Sequence, residues 1–293
     1  MHEIHRSYGT KTVLRGLSFE VARGEVFGLL GPNGAGKTTT LRMITGILLP
    51  DAGEVEIFGL SPIGPARRRV GYLPEERGLY PTMALLPCLV YLAELHGIPP
   101  VEGRRRAADL LERLGLASEH KTKIRDLSAG MAQKAMMVAT LLHRPELLVL
   151  DEPFFRLDPV NRRLILDIIE EARAAGAAVV LSTHQMAEAE RLCGSVLLLH
   201  HGVDVCSGTV NEVRLSAGVA MGSIRFEGDL PASLPGTSNL RVEGRDATFE
   251  MEEGATTSPI LAALLAAGVE VLSFDVSPPS LDEIFVRTVG GSL

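Results

Sequence analysis

Short apolar runs that end on a glycine or a charged residue recur through the first two thirds of the chain, and stretches of helical periodicity separate them. Residues 24–31 read GEVFGLLG, 146–153 ELLVLDEP, 177–184 AAVVLSTH and 195–202 SVLLLHHG. Runs of consecutive apolar residues suit strands buried on both faces, as in a parallel sheet, better than strands with one face in water. Residues 38–46 read as a helix, GEVEIFG at 53–59 as a further strand, and residues 81–142 as a helical insert in which Gly115 stops AADLLERLG. Strands alternating with helices of this length predict βαβ units and an α/β domain with a parallel-rich sheet, here residues 1–213. From residue 221 the pattern changes. SIRFE, LRVEG, ATFEME and VEVLSFDV alternate polar with apolar positions, and helices are expected near 259–267 and 281–289. Residues 221–293 are therefore expected to form a small α+β domain.

Composition narrows the partners more than the fold. Hydrophobic residues make up 46% and charged residues 22% of the 293, a globular balance that excludes a disordered or fibrous chain. A net charge of -7 makes nucleic acid an unexpected partner, because phosphate-backbone binding needs a basic surface. The triplets Arg67–Arg69 and Arg104–Arg106 read as solvated helix faces. Cys88, Cys193 and Cys206 show no CxxC spacing, which fits a reducing, cytoplasmic setting. No charged leader with an apolar core opens the sequence, and the longest apolar stretch, 260–272, is broken by Gly268 and Glu270. It falls short of the roughly 18 residues of a spanning helix, so the chain is not expected to cross a membrane itself. His2 and His5 are metal-ligating in type but have no further ligand nearby, and His200 and His201 read as strand-end residues.

The chemistry concentrates at the ends of the apolar runs. Gly31, Pro32, Asn33, Gly34, Ala35, Gly36, Lys37 and Thr38 spell GPNGAGKT, a glycine, four residues, then glycine, lysine and a hydroxyl, between a predicted strand and a predicted helix that continues with Thr39. Glycines let backbone amides crowd a phosphate chain, the helix N-terminus adds its positive dipole end, Lys37 a full charge, and Thr38 a hydroxyl for Mg2+. Asp151 ends the strand LLVLD, where a carboxylate can hold that metal. Glu152 follows it and can take a proton from an attacking water.

A phosphate loop alone allows a kinase, a GTPase, a helicase or a transport ATPase. RDLSAGMAQK at 125–134 narrows the choice, since it resembles the signature loop of the ATP-binding cassette family, and the motif order over residues 8–213 resembles that family throughout. The resemblance implies a P-loop nucleoside triphosphatase fold in which Ser128, Ala129 and Gly130 touch the γ-phosphate of an ATP held by an opposing copy. Physically, Ser128 would cap the helix that follows. Ala129 stands where the family has a second glycine, and Met131 where it has glutamine, so a glycine-only backbone angle at 129 would be strained.

By the same resemblance His184, in LSTHQ, is the switch histidine near the γ-phosphate, and Asp158, in RLDP, the loop aspartate that links two sites across a dimer. Phe155 and Arg156 replace smaller residues before it. Glu75, in GYLPEERGLYP, stands in place of a glutamine that senses Mg2+, and Tyr8, in RSYGT, in the place of the aromatic that stacks on adenine. Only residues 1–7 precede Tyr8, so a shortened first strand is expected. The C-terminal segment, ending SPPSLDEIFVRTV, resembles the accessory domain of prokaryotic sodium- and drug-efflux ATPases.

The function implied is the ATP-hydrolysing, nucleotide-binding subunit of an exporter, using ATP and Mg2+. It would pair with itself in an ATP-dependent dimer, with a separate integral membrane subunit, and lie on the inner face of the cell membrane through that partner. The alternative is a soluble cassette switch acting on ribosomes or DNA, though the chain shows neither a second cassette nor a long coiled coil. A regulator with degraded catalysis is opposed by the presence of Lys37, Asp151, Glu152 and His184.

Overall fold

The computed structural model describes residues 1–290 other than 77, 217, 219 and 253, so the last three residues of the expected C-terminal domain lie outside the described residues. The chain divides into two compact units, Met1–Gly208 and Thr209–Leu293.

In the first unit the elements run β1 (His2–Tyr8), β2 (Lys11–Leu17), β3 (Val26–Leu30), α1 (Lys37–Ile44), β4 (Ala52–Glu54), β5 (Val70–Leu73), α2 (Leu85–Leu95), α3 (Pro100–Arg113), α4 (Ala129–Leu141), β6 (Leu147–Asp151), α5 (Pro159–Ala174), β7 (Ala178–Thr183), α6 (Met186–Leu192), β8 (Ser195–His200) and β9 (Val203–Thr209). The main sheet has the order β5-β6-β7-β3-β8-β9, and its pairs β5·β6, β6·β7, β7·β3 and β3·β8 are parallel. Every residue of β3, β6 and β7 is buried, as their unbroken apolar runs require of strands covered on both faces. Leu30 is level with Thr183 and Asp151 with Ser182, so three strands end side by side.

Two expectations change. GEVEIFG is not a full strand: Ala52–Glu54 pair antiparallel to β1, and Ile57 makes an isolated bridge to Leu60 across a turn. Val55 and Ile57 still point inward, but Phe58 and Gly59 take positive φ of 54° and 72° and turn the chain before it can extend further. Nor is the first strand short. It has seven residues, paired with β2 on one side and β4 on the other, and buries Ile4 completely.

The second unit begins at Thr209. Its first helix, α7 (Val210–Ser216), packs against α9 (Leu281–Gly290), with the Arg214 guanidinium donating to the carbonyls of Pro278 at 2.8 Å and Pro279 at 3.0 Å. Those ties draw the division several residues ahead of the boundary at 213 read from the sequence. Between these helices lie β10 (Met221–Glu227), β11 (Thr237–Glu243), β12 (Asp246–Met251), α8 (Thr257–Ala266) and β13 (Glu270–Ser277). The antiparallel sheet β11-β12-β10-β13 buries Ile224, Phe226, Ala247 and Phe249 with Ile260 and Leu264 of α8, the face that the alternation marked. Gly222 lies opposite Phe249, and a Cβ there would sit 2.0 Å from its ring.

Candidate active site

The loop from β3 to α1 is shaped by its own chain. Gly31 has φ 143°, and a Cβ there would lie 2.1 Å from the carbonyl oxygen of Leu199. Gly36, at the helix N-cap, has φ 116°, and its Cβ would press Leu14 at 2.8 Å. Neither position admits a side chain. Lys37 is buried, and its Nζ donates to the carbonyls of Gly31 at 2.6 Å and Pro32 at 3.2 Å. Burial lowers its pKa, while Glu152, Asp151 and Glu75 pull it back up. A cation whose hydrogen bonds go to the loop's carbonyls is placed to trade them for the oxygens of an anion.

Opposite Lys37 stand the carboxylates at the end of β6. Asp151 is 1% exposed, and one of its oxygens accepts from the Ser182 hydroxyl while the other, Oδ2, is buried with no hydrogen-bond partner. A buried carboxylate oxygen without a donor fits a cation, and hard oxygen donors suit Mg2+. Thr38 and Glu75 line the same cavity, so the residues present fit that ion.

Glu152 has φ 47°, a conformation that costs a non-glycine residue on the order of 1 kcal/mol. Its N–H donates to the Ser182 carbonyl at 3.1 Å and to the Ser182 hydroxyl at 3.2 Å. The turn aims the carboxylate inward: Oε1 lies 2.8 Å from His184 Nδ1 and 3.9 Å from Lys37 Nζ. His184, one residue past β7, keeps its side chain 45% exposed. A carboxylate held between an imidazole and an ammonium beside the Gly31–Thr38 loop can accept a proton from a water bound there.

These side chains line a cavity of about 610 Å3, shared by Pro32, Asn33, Gly34, Gly36, Lys37, Thr38, Thr39, Glu75, Asp151, Glu152 and His184. Gly31 and Ala35 are buried beside it. Tyr8 is not in its lining; it is 46% exposed at the end of β1, with the Arg6 guanidinium 5.0 Å from its ring centre. Lys11, Val13 and Phe155 line the cavity and were not read as site residues. Lys11 and Val13 belong to β2, which has no apolar run to announce it, and the bulk of Phe155 was its only signal.

Ser128, Ala129 and Gly130 are absent from this lining. Ser128 caps α4, its Oγ accepting from Met131 N at 3.2 Å, a bond worth about 1 kcal/mol. Ala129 opens the helix and is not among the described residues with positive φ, so its Cβ is unstrained. Asp158 caps α5, with both oxygens accepting from Asn161, at 2.9 Å from its N and 2.6 Å from Nδ2, and these bonds hold its pKa down. Two buried polar residues escaped the sequence reading. Ser182 ties Asp151 to Glu152, and Gln133 donates to the carbonyl of Pro153 at 3.2 Å.

Comparison with known proteins points one way. The family model described as ABC transporter matches residues 14–155, and that of the ATP-binding protein DrrA1-3-like C-terminal domain matches residues 208–289. The uncharacterized ABC transporter ATP-binding protein YhaQ of Bacillus subtilis is 35% identical over 289 residues, which cover 98% of this chain and 97% of the relative. Linearmycin resistance ATP-binding protein LnrL of Bacillus subtilis is 33% identical, covering 99% and 97%, and Nod factor export ATP-binding protein I of Paraburkholderia xenovorans 38% identical, covering 98% and 95%. Among solved structures, an ATP-binding subunit of an ABC transporter superposes with a TM-score of 0.70 at 37% identity, covering 74% of this chain and 92% of its own. No described helix is long and apolar enough to cross a membrane.

Proposed function

The chain belongs to the ABC transporter ATP-binding proteins and is an ATPase of that family, and from that premise we propose that it drives an exporter, two copies closing over two ATP molecules. The full-length similarity to proteins named for linearmycin resistance and Nod factor export supports the outward direction. The observation that carries the pairing is the placement of Ser128–Gly130: a capped helix N-terminus, suited to an anion, outside the lining of the phosphate cavity of its own chain.

Within each site Lys37 exchanges the carbonyls of Gly31 and Pro32 for phosphate oxygens. Glu152 accepts the proton of the attacking water, and His184 orients that carboxylate and the water. Thr38, Asp151 and Glu75 would hold Mg2+, which would offset charge on the phosphates. Tyr8, at the tip of β1, stacks on the base. A separate integral membrane subunit uses the closure, and this chain lies on the inner face of the membrane through it.

The Glu152→Gln variant tests the reading. With MgATP it should sediment as a dimer and hydrolyse at under about a hundredth of the normal rate. Ser128→Arg in the same background should return it to monomer. A strict monomer at high protein concentration would refute the sandwich.

A further inference from the structure

We infer that Gln133 is a positioning residue that ties the backbone of Glu152 to the helix carrying the signature loop, so that each copy's grip on its partner's nucleotide sets the geometry of its own base. The inference rests on the paired reading above and adds a route between its two sites.

The peptide around Glu152 is held from two directions. On the sheet side Ser182 receives the Glu152 N–H. On the helix side Gln133 Nε2 donates to Pro153 O at 3.2 Å, with Glu152 O at 3.5 Å sharing the same donor. Both neighbours are carbonyls, so the amide can present only its NH2 group to them. Gln133 is 7% exposed on a helix where Ala132, Lys134, Ala135, Met136 and Met137 beside it are also buried, and a buried amide persists there only where its partners are fixed.

A second contact lies one turn earlier. A Cβ on Gly130 would meet the Arg156 carbonyl at 3.4 Å, so α4 abuts the segment after Glu152 at two levels. Ser128 and Gln133 are five residues apart on one helix, about 7 Å along its axis, and a helix of that length moves as a rigid body. A shift of the signature loop is therefore delivered to residues 152 and 153. Glu152 holds a strained φ of 47° and depends on such outside ties to keep it. Misplacing a reacting group by about 1 Å can cost on the order of a hundredfold in rate.

Gln133→Met keeps the length and removes the donor; Gln133→Glu keeps the shape and sets a carboxylate against the two carbonyls. Each should lower kcat by about tenfold or more while KM for ATP stays within about twofold, the glutamate more than the methionine. A role in folding alone would lower the melting temperature and leave kcat per folded molecule unchanged. Mixed dimers then locate the effect, with first-turnover hydrolysis read from the one copy that retains Glu152. When Gln133→Met is on that copy and its partner carries Glu152→Gln, hydrolysis should be slow. When Gln133→Met and Glu152→Gln are together on the partner, hydrolysis should match the pair of wild type with Glu152→Gln. Slowing only in the second arrangement would show that Gln133 shapes the signature loop for the other site, equal slowing in both that it supports the dimer as a whole, and slowing in neither that it positions nothing; each overturns the inference. If Glu152→Gln copies stay monomeric with MgATP, the sandwich fails separately. The tie itself is then decided by the single variants, where an unchanged kcat overturns it and a lowered kcat at unchanged ATP affinity retains it.

Discussion

The loop Gly31–Thr38 and the loop Ser128–Gly130 both bear glycine at a helix N-terminus, yet their own chain makes opposite demands of them. At Gly31 and Gly36 positive φ and a neighbour closer than 3 Å leave no room for a Cβ. At Gly130 φ is not in that region, and a Cβ would find only ordinary contact with the Arg156 carbonyl. Ala129 already carries a Cβ there without strain. The first loop needs glycine so that strand, loop and helix can close on one another around Lys37. Among the described residues nothing asks for glycine in the second, which is the freedom that the proposed approach of a second copy's nucleotide would use.

The largest test of this contrast removes the charge that the first loop enfolds. Lys37→Ala should abolish measurable ATP binding and reduce turnover by about a hundredfold or more, checked by nucleotide titration and phosphate release. Next in size is the pair of glycine substitutions. Gly31→Ala should cost about 2–4 kcal/mol in urea unfolding, since its Cβ must displace the Leu199 carbonyl, and should weaken ATP binding with it. Gly130→Ala should leave the monomer as stable or firmer by up to about 1 kcal/mol, because alanine is the better helix former, and should leave monomer ATP affinity unchanged while ATP-driven association weakens. Equal losses of stability from the two would erase the distinction between the loops. The smallest effect belongs to Ala129→Gly, expected to lower stability by less than about 1 kcal/mol and to leave the ATP-driven dimer no tighter. A clearly tighter dimer by sedimentation would mean that the Cβ of Ala129 crowds the partner.

Much of the molecule could be read from contiguous residues. GPNGAGKT carries its phosphate chemistry within eight positions, LLVLD announces a buried strand with an acid at its tip, and Ser128 precedes a helix it could cap. The alternation after residue 221 coincides with the buried positions of β10 and β12, Ile224, Phe226, Ala247 and Phe249, but not with those of the edge strand β11, where Val242 of LRVEG is exposed. GEVEIFG misled because its apolar residues do point inward, while the strand's end is set by a positive φ at Phe58 that no pattern of hydrophobicity encodes.

What the sequence by itself determined is therefore local: which segments are buried strands, where a loop must be glycine, which acids sit at strand ends. Tertiary structure alone decided that β3, β7 and β6 are neighbours, and so that Lys37, His184 and Glu152 share one carboxylate oxygen although they come from distant segments. It also decided that Ser182 and Gln133, unremarkable where they stand in the chain, hold the backbone of Glu152 from either side. The physical reason is range. Propensity, capping and chirality act over a few residues and leave their mark on consecutive letters, whereas strand order and the partner of a buried amide follow from long-range packing of the whole core, which no short stretch contains.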